Sequence, residues 1–131
     1  MDKKAQAHEQ IVVLVDDDQF LRDMYALKFR EQGFTVEPMS SVAEALERIR
    51  GGLVPSIILF DMVMPGQNGY DLLGALAEEK LAPNAIKIAL SNEGQETDVD
   101  KAKALGAHGY IVKANTIPSE VVARVMELAA V

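Results

Sequence analysis

The amino-acid sequence predicts an α/β domain, a parallel sheet of five strands doubly wound with helices on both faces. Three observations predict it. Short runs that are apolar at nearly every position recur along the chain, as in strands buried on both faces. Longer stretches of helical period lie between them. Each helical stretch also carries its own start or stop residues.

The first run is Ile11–Val15 (IVVLV). From Gln19 to Gln32 the apolar residues Phe20, Met24, Leu27 and Phe29 make an approximate helical stripe. Gly33 stands at the left-handed position past the helix end, and Phe34 is placed to pack back on Phe29. A weak strand is expected at Phe34–Val36. The second helix opens at Ser41, with Glu44 three residues on as a capping box, and ends at Gly51 and Gly52. The third run is Ile57–Phe60 (IILF). A third helix is expected from about Gly69 to Lys80, with Pro83 beyond its end. Ile86–Leu90 (IKIAL) is the fourth run, and a fourth helix lies near Thr97–Leu105, stopped by Gly106. Tyr110–Val112 is the last strand. Pro118 suits the first position of the last helix, which carries Val121, Val122, Val125, Met126 and Leu128.

Strands alternating with single helices imply right-handed crossovers and one parallel sheet. The 131 residues fit one domain, residues 10–131, behind a solvated tail over residues 1–9. With no cysteine, disulfides, thiol catalysis and thiolate zinc sites are excluded. The net charge of −7, from 20 acidic and 13 basic residues, argues against a nucleic-acid partner. No apolar run approaches the roughly 20 residues that span a bilayer, and the N-terminus has no apolar leader core. A cytoplasmic protein is expected, without a membrane partner.

Open parallel sheets bind ligands beyond the carboxyl ends of their strands. Behind the first run stand Asp16, Asp17 and Asp18; behind the third, Asp61; behind the fourth, Ser91; behind the fifth, Lys113. Asp16, Asp17 and Asp61 would gather a charge of about −3, which a divalent metal and Lys113 balance. Oxygen donors with no His or Cys nearby favour Mg²⁺. Metal, ammonium and hydroxyl are the groups that phosphoryl transfer needs, and aspartate is an established nucleophile for it. Asp18 is equally well read as a helix N-cap.

VDDD at 15–18, DMVMPGQNG at 61–69, ALS ending at Ser91 and GYIVK at 109–113 together resemble the receiver domain of two-component response regulators, over roughly residues 10–130. The resemblance implies a flavodoxin-like sheet of order 2-1-3-4-5 with five helices. It implies that Asp61 is the phosphoacceptor. It assigns Mg²⁺ to Asp16, Asp17, Asp61 and the main-chain carbonyl of Val63. Ser91 and Lys113 would hold the phosphoryl group, and Tyr110 would change rotamer with phosphorylation.

The partners implied are a histidine kinase or histidine phosphotransfer protein as donor and an unknown downstream protein as reader. The reader would dock at the face of the fourth helix, fifth strand and fifth helix, and the chain would be a monomer or weak dimer. Such a chain catalyses its own phosphoryl transfer and dephosphorylation and is not a multi-substrate enzyme. Ending with the last helix, it is expected to carry no output domain, unless it is a fragment of a longer protein.

Two other functions share parts of this pattern. Asp16-x-Asp18 mimics the nucleophile motif of haloacid-dehalogenase-type phosphohydrolases, but Phe20 stands where Thr or Val is expected. An FMN carrier needs a Ser/Thr/Gly-rich loop after the first strand, where aspartates would repel its phosphate. A degenerate receiver used for docking alone would not keep every acceptor and metal position.

The chain departs from the family pattern at three places. Ala114 follows Lys113 where proline across a cis bond is usual; cis before alanine costs about 2.5–4 kcal/mol, so a trans bond is expected. Asn92 follows Ser91 and would narrow the approach to Asp61. Val63 is apolar where polar groups help place an attacking water, so a slowly hydrolysed phosphoryl group is expected.

Overall fold

The computed structural model describes residues 10–92, 96–113 and 116–130, with the side chains of 96 and 97 left aside. The expected tail over residues 1–9 and the bond between Lys113 and Ala114 lie outside the described residues. The elements run β1 (Ile11–Val15), α1 (Gln19–Glu31), β2 (Thr35–Met39), α2 (Val42–Arg50), β3 (Ile57–Asp61), α3 (Gly69–Glu78), β4 (Ile86–Ser91), α4 (Glu96–Ala104), β5 (Gly109–Val112) and α5 (Pro118–Leu128). The sheet order is β2-β1-β3-β4-β5, with every neighbouring pair parallel.

Register explains why the central strands are apolar throughout. Val13 and Val15 of β1 lie beside Ile58 and Phe60 of β3. These four face the core covered by α2, α3 and α4, with Leu46, Ile49, Leu72, Leu76 and Ala102. Val12, Leu14, Ile57 and Leu59 face the other core, covered by Tyr25, Ala26 and Phe29 of α1 and Val121, Val122 and Val125 of α5. A strand covered on both faces needs an apolar side chain at each position, and each such side chain contributes about 1.5–3 kcal/mol.

The helix stops follow local chemistry. Gly33, at φ +93°, closes a Schellman turn on α1, with Phe34 N–H donating to Phe29 O at 3.1 Å and Gly33 N–H to Arg30 O at 3.0 Å. The rings of Phe29 and Phe34 meet edge to face at 5.7 Å. Gly52 closes α2 in the same way, with Leu53 N–H donating to Arg48 O.

Three expectations need correction. The stripe on α1 is misplaced: Phe20 is 70% exposed and Leu27 49%, and the buried face is Tyr25, Ala26 and Phe29. A small residue and a phenol carry the contact, so hydropathy alone points to the wrong flank. The second strand runs Thr35–Met39 and not Phe34–Val36. Glu37 and Pro38 break its apolar pattern, and an edge strand tolerates proline where the missing N–H would face outwards.

The capping box at Ser41 is shifted by one residue on its return side. Ser41 Oγ accepts from Glu44 N–H at 3.1 Å, but Glu44 reaches back to Ser40 N–H at 3.0 Å.

Candidate functional site

The carboxyl edge of the sheet gathers the charged strand-end residues. Asp16 N–H donates to Met39 O at 3.1 Å, carrying the ladder one residue past β1 and turning the Asp16 side chain inward. Its Oδ1 accepts from Asp18 N–H at 2.9 Å, and Arg22 Nη1 donates to its main-chain oxygen at 2.8 Å. Asp16 is fully buried, whereas Asp17 is exposed. Asp18 is the N-cap of α1: its Oδ1 accepts from Leu21 N–H at 3.1 Å.

Asp61 closes β3, and its Oδ1 accepts from Val63 N–H at 3.1 Å. The loop that follows is held by Met62 N–H on Leu90 O and by Gly69 N–H on Met62 O. A Cβ at Gly69 would come within 3.0 Å of Met62 Cα, so only glycine lets α3 start this close to the strand end. Asn68 and Asp71 cap α3 reciprocally at 3.0 and 2.9 Å.

Lys113 joins the two buried carboxylates. Its Nζ donates to Asp61 Oδ2 at 2.9 Å and to Asp16 Oδ2 at 3.3 Å. Thr116 is bound back to the end of β5, its Oγ1 donating to Val112 O at 3.0 Å. Burial lowers the Lys113 pKa, but the hydrogen bond to Asp61 and the charges of Asp16 and Asp61 outweigh this and leave it above its ordinary value. The Asp16 carboxyl is raised, chiefly by burial, although the Asp18 N–H and Lys113 pull the other way.

One oxygen from each of Asp16, Asp17 and Asp61 lies within 4.8 Å of the others. Three carboxylates against one ammonium leave a local charge of −2, which a divalent cation cancels. All three donors are hard oxygens, two fixed by hydrogen bonds and one facing solvent. That donor set fits Mg²⁺, which keeps several waters.

Ser91 ends β4 in a buried position beside this cluster. It opens on a cleft of about 230 Å³ shared with Val63, Asn68, Tyr70, Asp98 and Tyr110. Tyr110 is half-buried on β5, and Val63 is 73% exposed at the rim. On the far side of this cleft Tyr70 ties α3 to α4. Its hydroxyl donates to Asp98 Oδ1 at 3.4 Å, and Lys101 Nζ lies 4.5 Å above its ring.

The structure thus brings Asp16, Asp17, Asp61 and Lys113 together and sets Ser91, Tyr110 and Val63 around the adjoining cleft. Arg22 and Thr116, which orient Asp16 and Lys113, have no motif that would have marked them. His108 is exposed, yet its Nδ1 accepts from Lys87 N–H at 3.0 Å.

A doubly wound sheet with a buried aspartate–lysine cluster at its carboxyl edge defines a class of phosphoryl-handling domains, and the comparisons agree. The chain belongs to the response regulator receiver domain family, whose model matches residues 12–125. The DNA-binding response regulator MtrA of Mycobacterium tuberculosis is 33% identical over 116 residues, covering 88% of this chain and 49% of that protein. The chain therefore spans about half the length of this curated relative.

Among solved structures, the signal receiver domain of NarL from Mycobacterium tuberculosis matches with a TM-score of 0.78 at 26% identity, over 94% of this chain and 98% of that one. The chemotaxis response regulator CheY4 of Vibrio cholerae shares the fold, with a TM-score of 0.82 at 23% identity, over 92% of this chain and 99% of that one. Among the described residues, no helix is long and apolar enough to cross a membrane.

Proposed function

We propose that the chain is a phosphoacceptor switch in which Asp61 receives a phosphoryl group from the phosphohistidine of a histidine kinase or phosphotransfer protein. The observation that carries this reading is the contact of Lys113 with both Asp61 and Asp16, beside the exposed Asp17. An Asp61 oxygen forms the new P–O bond as the P–N bond of the donor breaks, and the departing imidazole keeps the electron pair and takes a proton.

Asp16, Asp17, Asp61 and the Val63 carbonyl would hold Mg²⁺, which when bound neutralises charge on the phosphoryl oxygens. Lys113 would exchange its bond to the Asp61 carboxylate for one to a phosphoryl oxygen. Ser91, at the matching end of β4, would donate its hydroxyl to another.

Three exposed apolar residues ring this edge: Phe20 at the start of α1, Val63 after β3, and Ile117 at the start of α5. They suit a protein donor more than a small phosphate ester. Tyr110 on the edge strand β5, between α4 and α5, would carry the change to a downstream protein on that face. In this role the chain takes one phosphoryl group per cycle and is no multi-substrate enzyme, and its compartment would be the cytoplasm.

A phosphohydrolase using Asp16 and Asp18 is disfavoured by the geometry. Asp16 is fully buried beneath Lys113, and Asp18 is committed to the α1 cap.

The test is intact mass after incubation with acetyl phosphate and Mg²⁺. The expected result is one added phosphoryl group, lost in Asp61→Asn and on chelation. No added group, with Mg²⁺ present and the fold intact, favours a docking module. Continued phosphate release from many esters favours a phosphohydrolase.

A further inference from the structure

A second hollow, of about 340 Å³, lies at the opposite edge of the sheet, where α3 and α4 end and β4 begins. Lys87 and Ser91 stand near the two ends of β4, about 13 Å apart along the strand, so the hollow is separate from the acidic site. Its walls are Leu73, Leu76, Leu81, Pro83 and Leu105, and among the described residues Lys80 and Lys87 are its only charged lining.

Three features set this hollow apart. Lys87 is half-buried, and its Nζ donates only to the carbonyls of Ala82 and Ala85, each at 3.3 Å. Among the described residues no carboxylate pairs with it. Burial holds its pKa below the ordinary lysine value, with no opposing charge to offset that. The loop beside it is strained, because Lys80 at φ +56° and Ala82 at φ +44° both adopt the left-handed conformation. Lys80 occupies the helix-stop position that glycine fills most easily: its N–H donates to Ala77 O and Leu81 N–H to Leu76 O. Glycine there would relieve the backbone but remove an ammonium from the hollow.

We propose that this hollow binds a small monocarboxylate with an apolar tail, of the medium-chain fatty acid type, its carboxylate on Lys87 and Lys80 and its tail against Leu73, Leu76 and Leu105. Charge complementarity sets the sign of the head group: the chain carries −7 overall, yet both charged residues among the described lining of this hollow are lysines. Size sets the tail. A hollow of about 340 Å³ has room for a short acyl chain such as that of octanoate. It lies at the lower end of small-ligand sites, about 300–1,000 Å³.

The test is an NMR titration of the ¹⁵N-labelled chain with sodium octanoate, with 1-octanol as the uncharged counterpart. Octanoate should give saturable shifts confined to Leu73–Lys87 and to Leu105 and Gly106. Lys87→Met should weaken octanoate roughly tenfold or more, the loss of a charge-assisted bond, and leave octanol unchanged. Leu105→Glu, at a half-exposed wall position, should repel octanoate while the dispersed spectrum reports an intact fold. Asp61→Asn should leave the titration as it was, which separates this inference from the acceptor reading.

The proposal is overturned by shifts that never saturate or that spread to the acidic edge. It is equally overturned if octanol and octanoate bind alike in parent and Lys87→Met. A groove that ignores octanoate but is saturated by an acidic amphipathic peptide belongs to a protein partner, which also overturns it.

Discussion

Replacing Lys113 with methionine should cost the metal-free protein about 3–5 kcal/mol, because it leaves two buried carboxylates facing each other without a counter-charge. The side chains of Asp16, Asp61 and Lys113 are 0, 8 and 7% exposed. At an effective dielectric constant of about 20, the 2.9 and 3.3 Å contacts correspond to roughly 6 and 5 kcal/mol of raw Coulomb attraction. Desolvation of the three groups takes back much of that, so the cost falls in the range seen when one partner of a buried pair is removed.

The assay is urea unfolding at pH 7.5 with chelator, comparing Lys113→Met with the parent. The sign of the pH dependence is an independent check. The Asp16 pKa already lies above its ordinary 3.8 in the folded parent, and without Lys113 it rises further. A carboxyl raised on folding favours the fold while protonated and costs stability as pH climbs through the folded pKa. The deficit of Lys113→Met should therefore shrink as pH falls towards about 4. In the parent, the Lys113 contribution is full below its ordinary 10.5 and is lost as pH rises through its raised folded pKa. A variant within about 1 kcal/mol of the parent at pH 7.5, or a deficit that grows on acidification, would refute this reasoning.

Mg²⁺ at about a hundredfold over its Kd should stabilise the parent by about 2.7 kcal/mol, seen as a rise in Tm, and Asp17→Ala should remove most of that rise. Gly69→Ala should cost about 1–3 kcal/mol in urea unfolding and slow acceptor phosphorylation, since its Cβ meets Met62 Cα at 3.0 Å; a neutral substitution would count against the packed loop. Asn68→Ala should cost about 1 kcal/mol through the lost α3 cap, measured in the same way. Val63→Asn should shorten the lifetime of the phosphorylated form by placing a polar group at the rim; an unchanged or longer half-life, read by intact mass over time, would contradict the role given to that side chain.

How far the molecule is legible from its sequence depends on which forces act locally. The strands were readable because double-sided burial demands unbroken apolar runs, as in Val12–Val15 and Ile57–Phe60. Helix ends were readable where one residue sets the backbone, as at Gly33 and Gly52. Both signals are short-range.

The edge strand β2 was less legible because sheet position, invisible in the chain, is what permits Pro38. The flank of α1 depends on what α5 offers it, and so Tyr25 and Ala26 displaced the more hydrophobic Phe20 and Leu27. At the site, Asp16, Asp17, Asp61 and Lys113 could be paired in advance because each stands directly behind a strand. Arg22 and Thr116 act through main-chain oxygens at 2.8 and 3.0 Å, and such contacts leave no pattern in residue types.

The most direct test of the central claim is to locate the phosphoryl group. The chain is loaded with acetyl phosphate and Mg²⁺, the acyl phosphate is reduced with borohydride, and the digest is sequenced by mass spectrometry. Conversion of Asp61 to homoserine, with Asp16 and Asp17 unchanged, is the predicted result. Reduction at Asp16, or a label spread over all three aspartates, would contradict the assignment of Asp61 as the acceptor.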